Sequence, residues 1–388
     1  MMLFNPVSQR KERFSAVGGK RVKIYVCGIT PYDTTHVGHA FTYMAFDVLV
    51  RYLKFRGFST TYVQNVTDID DDILEEAKKR RKDWKKLGDF WTRRYLDDMK
   101  RLGVARPDYY VRATDALPEM KKMIGFLLSR KFAYKGGGNV YFDTGKFPRY
   151  GKLSGFTRAQ MEYLLKERGD GAADHGKRNA LDFVLWRGWK AGEPSWEARW
   201  GRGRPGWHIE CSAIIMKYLG KQIDIHGGGR DLDFPHHESE IAQSESFTGK
   251  RPLARYFMHT AMVMYMGEKM SKSLHNLVMV SDLLERHSAD AVRWMLLKHH
   301  YRKVWEYDKT ELNVAETEVL KMKSFLSYGS RRGGAGENSS AMAEFISAMD
   351  DDLDTPKALR LLLSLAEEGR CLEAATRISR ILGFDFSN

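Results

Sequence analysis

The chain has 388 residues, enough for two or three domains and a large core, and carries 63 Lys and Arg against 50 Asp and Glu, a formal charge of +13. Its three cysteines exclude a disulfide framework and lead us to expect a reducing, cytoplasmic setting. The opening Met1-Met-Leu-Phe-Asn-Pro6 reads as no signal peptide, and no apolar run reaches the length of a membrane span, which excludes a membrane role.

In chain order, Arg21-Val-Lys-Ile-Tyr-Val-Cys27 reads as a buried strand, and Val37 to about Phe55 as a long amphipathic helix. Ser59–Thr67 is a second strand. Asp71–Lys82 opens another helix, where Asp68, Asp70 and Asp71 read as N-capping residues rather than as a metal site. The strand–helix alternation predicts an α/β fold with a doubly wound, Rossmann-like parallel sheet. Asp115–Phe132, with Pro118 in its first turn, is a helix, and Asn139–Thr144 is a short strand after a triple glycine. The Gly-, Arg-, Lys- and Trp-rich segment from about 146 to 203 reads as an insertion between the halves of the sheet. Ile214–Leu219, His236–Phe247 and Leu253–Val263 return to the sheet domain, and Ser281–His299 is one helix. Tyr328–Gly336 is a flexible link. After it, Ala343–Met349 and Thr355–Ile381 form a helical bundle, with Thr355-Pro356 as N-cap and first turn. The expected domains are 1–263, catalytic and containing the insertion; 264–310, a loop and connecting helices; and 311–388, the C-terminal bundle.

Two short motifs carry nucleotide chemistry. Thr35-His36-Val37-Gly38-His39 stands where the first strand, a turn and the long helix meet. A helix N-terminus there presents free N–H groups to phosphate, and His36 and His39, three apart, share a face. Gly38 lets a nucleotide approach the backbone. Far downstream, Lys269-Met-Ser-Lys-Ser273 supplies mobile cations for charge that develops on a leaving pyrophosphate. Either motif alone is weak and is matched by a charged surface loop; together, in this order, they form a nucleotide-handling pair.

Cys27, Cys211, His236 and Glu240 form a standard zinc donor set of two thiols, an imidazole and a carboxylate. His236 and Glu240 lie four apart just after Pro235, a first-turn residue, so both leave one helix face. No Cys-x-x-Cys spacing announces a metal, and two buried structural cysteines beside a surface His/Glu pair are the other reading. Charge clusters at 78–82, 85–86, 93–94, 199–204, 302–303 and 331–332 fit an RNA partner through phosphate neutralisation, and fit plain solubility as well.

With these residues in hand, the chain resembles the class I aminoacyl-tRNA synthetases, and within them the cysteinyl-tRNA synthetases and the related cysteine:glucosaminyl-inositol ligases of mycothiol synthesis. The resemblance runs from about Leu3 to Ile381. It is carried by Tyr25-Val-Cys-Gly28, Asn65-Val-Thr-Asp-Ile-Asp-Asp71, Leu181-Asp-Phe-Val-Leu-Trp186, Gly203-Arg-Pro-Gly-Trp-His-Ile-Glu-Cys211, Asp224-Ile-His-Gly-Gly-Gly229, Phe234-Pro-His-His-Glu238 and the Lys269 loop. It implies one zinc per monomer on Cys27, Cys211, His236 and Glu240, binding the substrate thiolate and so rejecting serine. It implies ATP with Mg²⁺ and L-cysteine as substrates, with His36, His39, Lys269 and Lys272 catalytic. ATP contacts fall to Thr30, His36, Gly38, His39, Gly227, Gly228, Gly229, Asp231 and Lys272, and cysteine contacts to Cys27, Gly28, Thr67 and Trp207.

The acceptor divides the resemblance. Ile29-Thr-Pro-Tyr-Asp33, Tyr62-Val-Gln-Asn65, Ala40-Phe-Thr-Tyr43, Lys298-His-His-Tyr-Arg302 with Trp305-Glu306, and the end at Asn388 before a full anticodon-binding module lean to the amino-sugar ligases. Glu240, Glu238-Ser-Glu-Ile-Ala-Gln243, the Leu3–Glu12 opening and the basic charge lean to the synthetases, and the expected function is that of a minimal, monomeric cysteine–tRNA ligase acting on tRNA(Cys). Arg230 and His275 depart from the family pattern. A non-catalytic RNA-binding paralogue is the reading of another class, and the intact motifs oppose it.

Overall fold

The protein is described by a computed structural model covering residues 1–33, 35–167, 176–270, 274–328 and 335–386. Five parallel strands form its central sheet, in the order Ala254–Thr260, Ile223–Gly229, Arg21–Ile29, Ser59–Val66, Tyr109–Arg112. The chain starts in the middle, winds outward through Ser59–Val66 to Tyr109–Arg112, then returns to the other side. The winding therefore reverses between Arg21–Ile29 and Ile223–Gly229, which is where ligands bind in such sheets, at the carboxyl ends of the strands.

Alternation along Arg21–Ile29 sends Val22, Ile24 and Val26 into one apolar cluster and Tyr25 and Cys27 into another, so both faces of the sheet are covered. The first face carries the Val37–Phe55 helix, Ala289–Leu297 and the C-terminal helices. The second carries Leu117–Ser129 and Trp207–Tyr218, and Cys27 opens toward it. At Gly28 the register with Ser59–Val66 slips, and a Cβ there would stand 1.7 Å from the Asn65 carbonyl oxygen. Glycine is needed at that bulge for close approach.

A four-stranded antiparallel sheet, Ala133–Gly136, Asn139–Phe142, Phe183–Gly188 and Gly203–Pro205, is inserted between the halves, with the helix Arg158–Glu167 beside it. It starts before residue 146, because the hairpin after Leu117–Ser129 already belongs to it. Lys309–Tyr328, Ala335–Asp350, Thr355–Glu368 and Leu372–Ile381 pack into the same core as the Val37–Phe55 helix. Two buried polar nodes fasten this junction. Arg293 pairs with Asp47 and donates to the Leu382 carbonyl at 2.7 Å and the Leu102 carbonyl at 3.1 Å. Asp352, fully buried, accepts from the Phe4 amide at 2.8 Å, the Tyr301 hydroxyl at 2.7 Å and Arg302 Nε at 2.6 Å.

Several local expectations need correction. Ser281–His299 is two helices, Val280–Leu284 and Ala289–Leu297, because the Ser288 amide and hydroxyl donate to Glu316 while Ser288 Oγ caps the second helix at Ala291. The cap before Pro356 is Asp354, which accepts from the Lys357 amide at 3.0 Å, and Thr355 lies inside the helix. Gly369 ends that helix in the left-handed conformation, so Thr355–Ile381 is also two helices. Cys371 is buried at the start of the last one. Asp70 caps Asp71–Lys79, accepting from the Asp72 amide at 2.9 Å, while Asp68 binds Thr114 and Asp71 pairs with Arg187 and Arg204. The expected link at 328–336 falls, for residues 329–334, outside the described residues.

Candidate functional site

Cys27, two residues before the end of the Arg21–Ile29 strand, lies on the side of the Trp207–Tyr218 helix, which carries Cys211. The segment Asp233–His237 leads into Glu238–Thr248 across a kink at Phe234, whose backbone is extended (φ −137°, ψ 133°). Pro235 thus precedes the regular helix instead of opening it, yet His236 and Glu240 still share a face, with Nε2 and Oε1 3.0 Å apart. Cys27 Sγ lies 3.9 Å from Cys211 Sγ and 3.5 Å from Glu240 Oε1, and His236 Nε2 lies 3.4 Å from Cys211 Sγ. Donors on a tetrahedral zinc with bonds of 2.0–2.3 Å stand about 3.3–3.8 Å apart, and the separations here, 3.0–3.9 Å, straddle that range, so the group could hold a metal ion.

The electrostatics agree. Burial, then Cys211 and Glu240, push the Cys27 thiol well above its ordinary range. Against burial, Cys27 and His236 bring Cys211 down to about 6. His226 and His236 likewise overcome burial to hold Glu240 down to about 2, and His236 is raised to about 10 by Cys211 and Glu240 despite its own burial. An anionic sulfur and a carboxylate are thus packed in apolar surroundings around one shared centre, an arrangement a divalent cation fits.

Four further histidines support these donors, and the sequence reading did not single them out. His226 Nε2 holds the other Glu240 oxygen at 2.9 Å, and His208 Nδ1 meets His236 Nδ1 at 3.0 Å. His237 Nε2 lies 3.3 Å from Cys27 Sγ, and its Nδ1 lies 2.7 Å from His259, which stands 2.6 Å from Asp233. Such outer partners orient metal ligands. Three of the four sit inside the motifs quoted above, which was the available signal. The overlapping group Cys27, His226, His237 and Glu240 also satisfies a metal-donor spacing, but it omits the second thiol.

Cys27, Cys211 and His236 form one end of a cavity of about 340 Å³ at the topological switch point. Glu240 lies behind it, fully buried. Gly28, Thr67 and Trp207 line the same end; Trp207 stacks on His236 with ring centroids 4.2 Å apart. Thr30, His36, Gly38 and His39 line a second wall, and Gly229, Asp231 and Lys269 a third. His36 is the cap of the Val37–Phe55 helix, its Nδ1 accepting from the Gly38 amide at 3.1 Å, and its ring stacks on His39 at 3.8 Å. A Cβ at position 38 would stand 2.9 Å from the His36 ring, so Gly38 first makes room for that imidazole. Burial, then His39 and Lys269, hold His36 well below its usual range, and burial takes His39 down to about 4. Both rings are thereby held in the neutral form near pH 7.

The two nucleotide motifs meet through the backbone. Val37 N donates to the Val278 carbonyl and Val280 N to the Thr35 carbonyl, each at 2.9 Å, strapping the segment after the Lys269 loop beside the His36 turn. Lys269 Nζ reaches Asp231 at 3.5 Å. Lys272 lies outside the described residues. Gly227 and Gly228 do not line the cavity. A Cβ at Gly227 would meet the Phe46 ring at 2.1 Å, and one at Gly228 would meet Leu232 and His237, so these glycines serve packing. A second cavity of about 780 Å³, between the inserted sheet and Asp70–Asp72, adjoins the first through Thr30 and Trp207.

A family model described as "tRNA synthetases class I (C) catalytic domain" matches residues 13–317. The chain is 42% identical over 389 residues to a cysteine–tRNA ligase of Thermodesulfovibrio yellowstonii, covering 95% of this chain and 78% of that protein. It is 44% identical over 369 residues to the cysteine–tRNA ligase of Thioalkalivibrio sulfidiphilus, covering 95% and 79%. Among solved structures, Mycobacterium tuberculosis methionyl-tRNA synthetase in complex with methionyl-adenylate superposes with a TM-score of 0.67 at 14% identity, covering 94% of this chain and 90% of that one, a likeness of fold. No helix among the described residues is long and apolar enough to cross a membrane. The chain belongs to the class I tRNA synthetases, in the family of the cysteine–tRNA ligases.

Proposed function

We propose that the chain activates L-cysteine with ATP and transfers it to tRNA(Cys). The observation that carries this reading is that one cavity has a thiol-rich metal-donor cluster at one end and the paired His36 and His39 with Lys269 around the other. The substrate side chain is placed at the Cys27/Cys211/His236 end, with Trp207 and Thr67 as walls. A zinc ion held by Cys27, Cys211, His236 and Glu240 would accept a thiolate as a further ligand and pass over a hydroxyl. The cysteine carboxylate then attacks the α-phosphate, and pyrophosphate leaves from the His36/His39 side. The two neutral imidazoles donate hydrogen bonds to phosphate oxygens from the helix N-terminus. Lys269 and Lys272 neutralise the leaving charge, and Mg²⁺ accompanies ATP. Gly229 and Asp231 take the adenosine, Asp231 as acceptor for ribose hydroxyls.

Transfer requires a hydroxyl of the terminal ribose of tRNA to reach the adenylate carbonyl, with AMP leaving. The 780 Å³ cavity joined at Thr30 and Trp207 supplies an approach of nucleotide size. The relatives at 42–44% identity are cysteine–tRNA ligases, which supports tRNA over an amino sugar as acceptor. Domain limits at 1–263, 264–310 and 311–388, a monomeric state and a cytoplasmic location belong to the same proposal.

The test uses purified enzyme, ATP and labelled cysteine with tRNA(Cys) and glucosaminyl-inositol in parallel. Label should appear on tRNA, after cysteine-dependent ATP–pyrophosphate exchange that needs no RNA. Label only on the amino sugar overturns the acceptor, and exchange that ignores cysteine overturns the activation step.

A further inference from the structure

A third concavity shares no lining residue with either cavity above. It is an open cleft of about 1010 Å³ between the Leu117–Ser129 helix and the strip Glu197–Trp200, with Lys135 of the inserted sheet at its edge. Its floor is apolar: Phe126 and Trp200 line it. Three exposed cations stand on the rim from three separate segments, Lys122, Lys135 and Arg199, and none has a carboxylate partner among the described residues. Glu197 is the only acid in the lining.

Ion pairs elsewhere on this surface are plentiful, as between Lys217 and Glu119 one helix turn away from the cleft. What distinguishes the cleft is the convergence of three cations from separate segments around an aromatic floor. A concave apolar floor of this size exceeds what a single side chain fills, and a rim of one charge selects a ligand that repeats the opposite charge at intervals. Single-stranded or looped nucleic acid has that chemistry, with bases that stack on aromatic rings and phosphates that meet Lys and Arg.

We infer that this cleft docks a segment of the same tRNA at a distance from its reacting end, a base lying on Trp200 and Phe126 and phosphates on Lys122, Lys135 and Arg199. The inference rests on the tRNA-charging reading. Because the cleft touches no catalytic-cavity residue, its loss should weaken RNA binding and leave cysteine activation intact.

The experiment measures binding of tRNA(Cys) across a salt series for wild type and the K122E/K135E/R199E variant, alongside ATP–pyrophosphate exchange. Affinity should fall at least tenfold, and the slope of log K against log salt should drop by about two to three, one contact per lost cation. Exchange should stay at the wild-type rate. Should the triple variant lose exchange, each single reversal is measured, and each should remove about one from the slope. Trp200→Phe should retain affinity that Trp200→Ala loses. Wild-type tRNA affinity and slope in the reversal variants overturn the inference, and a loss of polyglutamate binding alone would assign the cleft to an acidic protein. A wild-type chain that charges no tRNA sinks the parent reading instead.

Discussion

Two regions of this molecule bury charge, and they treat it differently. At the junction of the sheet with the C-terminal helices, Asp352 and Arg293 meet partners from several elements: an amide, a hydroxyl and a guanidinium for the first, two carbonyls and Asp47 for the second. Around the cavity the opposite holds. Cys27, Cys211 and Glu240 crowd together, and the Nδ1 atoms of His39 and His226 are buried with no hydrogen-bond partner among the described residues. Buried polar groups are ordinarily satisfied from within, so two unpartnered ring nitrogens beside a donor group that could hold a metal ion are arranged for something that arrives later. The helical junction spends its polar groups on shape, and the cavity holds its own for ligands.

This contrast can be broken by substitution. Cys211→Ser should show the largest effect, abolishing the proposed binding of one zinc per chain and lowering cysteine-dependent exchange by about 10⁴-fold, the scale on which a site built for one polar group tells it from a near-isostere. Metal analysis and exchange assays check this, with melting temperature as control. Zinc retained at full stoichiometry would remove the metal from the argument. Asp352→Ala acts on the other region. It strands Arg302 and the Tyr301 hydroxyl and should cost about 3–5 kcal/mol of stability in urea unfolding, with exchange by the remaining folded protein near wild type. The smallest expected effect concerns His39, whose folded value of about 4 lies below its ordinary 6.5. The unfolded chain binds this proton more readily, so the stability contribution is complete above pH 6.5 and is lost as pH falls toward 4, by at most about 1.4 kcal/mol per pH unit. His39→Asn should flatten the stability–pH curve in that window by up to one proton, as read from urea midpoints at pH 7 and pH 5. An unchanged slope would mean that His39 is not held neutral.

Much of the architecture is legible in the chain because the periodicity is strong where both faces of the sheet are covered: Arg21–Ile29, Val37–Phe55 and Ser59–Val66 fall where apolar spacing places them. The donor set is legible as residue types and in the His236/Glu240 spacing, but Cys27 and Cys211 come together by the winding of the sheet and not by local spacing, so only the resemblance ties all four together. The break before Ser288 was hidden because its cause, Glu316, lies on another helix. Gly227 and Gly228 look like a nucleotide loop, but the ring of Phe46 and the side chains of Leu232 and His237 explain them, and no local signal carries that. The supporting histidines were visible as letters; their pairing with Cys27 and Glu240 is tertiary.

The distance in sequence between Cys27 and its companions has a further consequence, in time. At about 5–20 residues per second of synthesis, roughly 10–40 s separate the emergence of Cys27 from that of Glu240. During that interval the first thiol has none of its later neighbours, and copper, which outranks zinc for such ligands, meets no geometric barrier to it. All four donors come together only when the second half of the sheet closes over the first strand, so discrimination between metals by geometry is a property of the closed fold and is absent from the nascent chain.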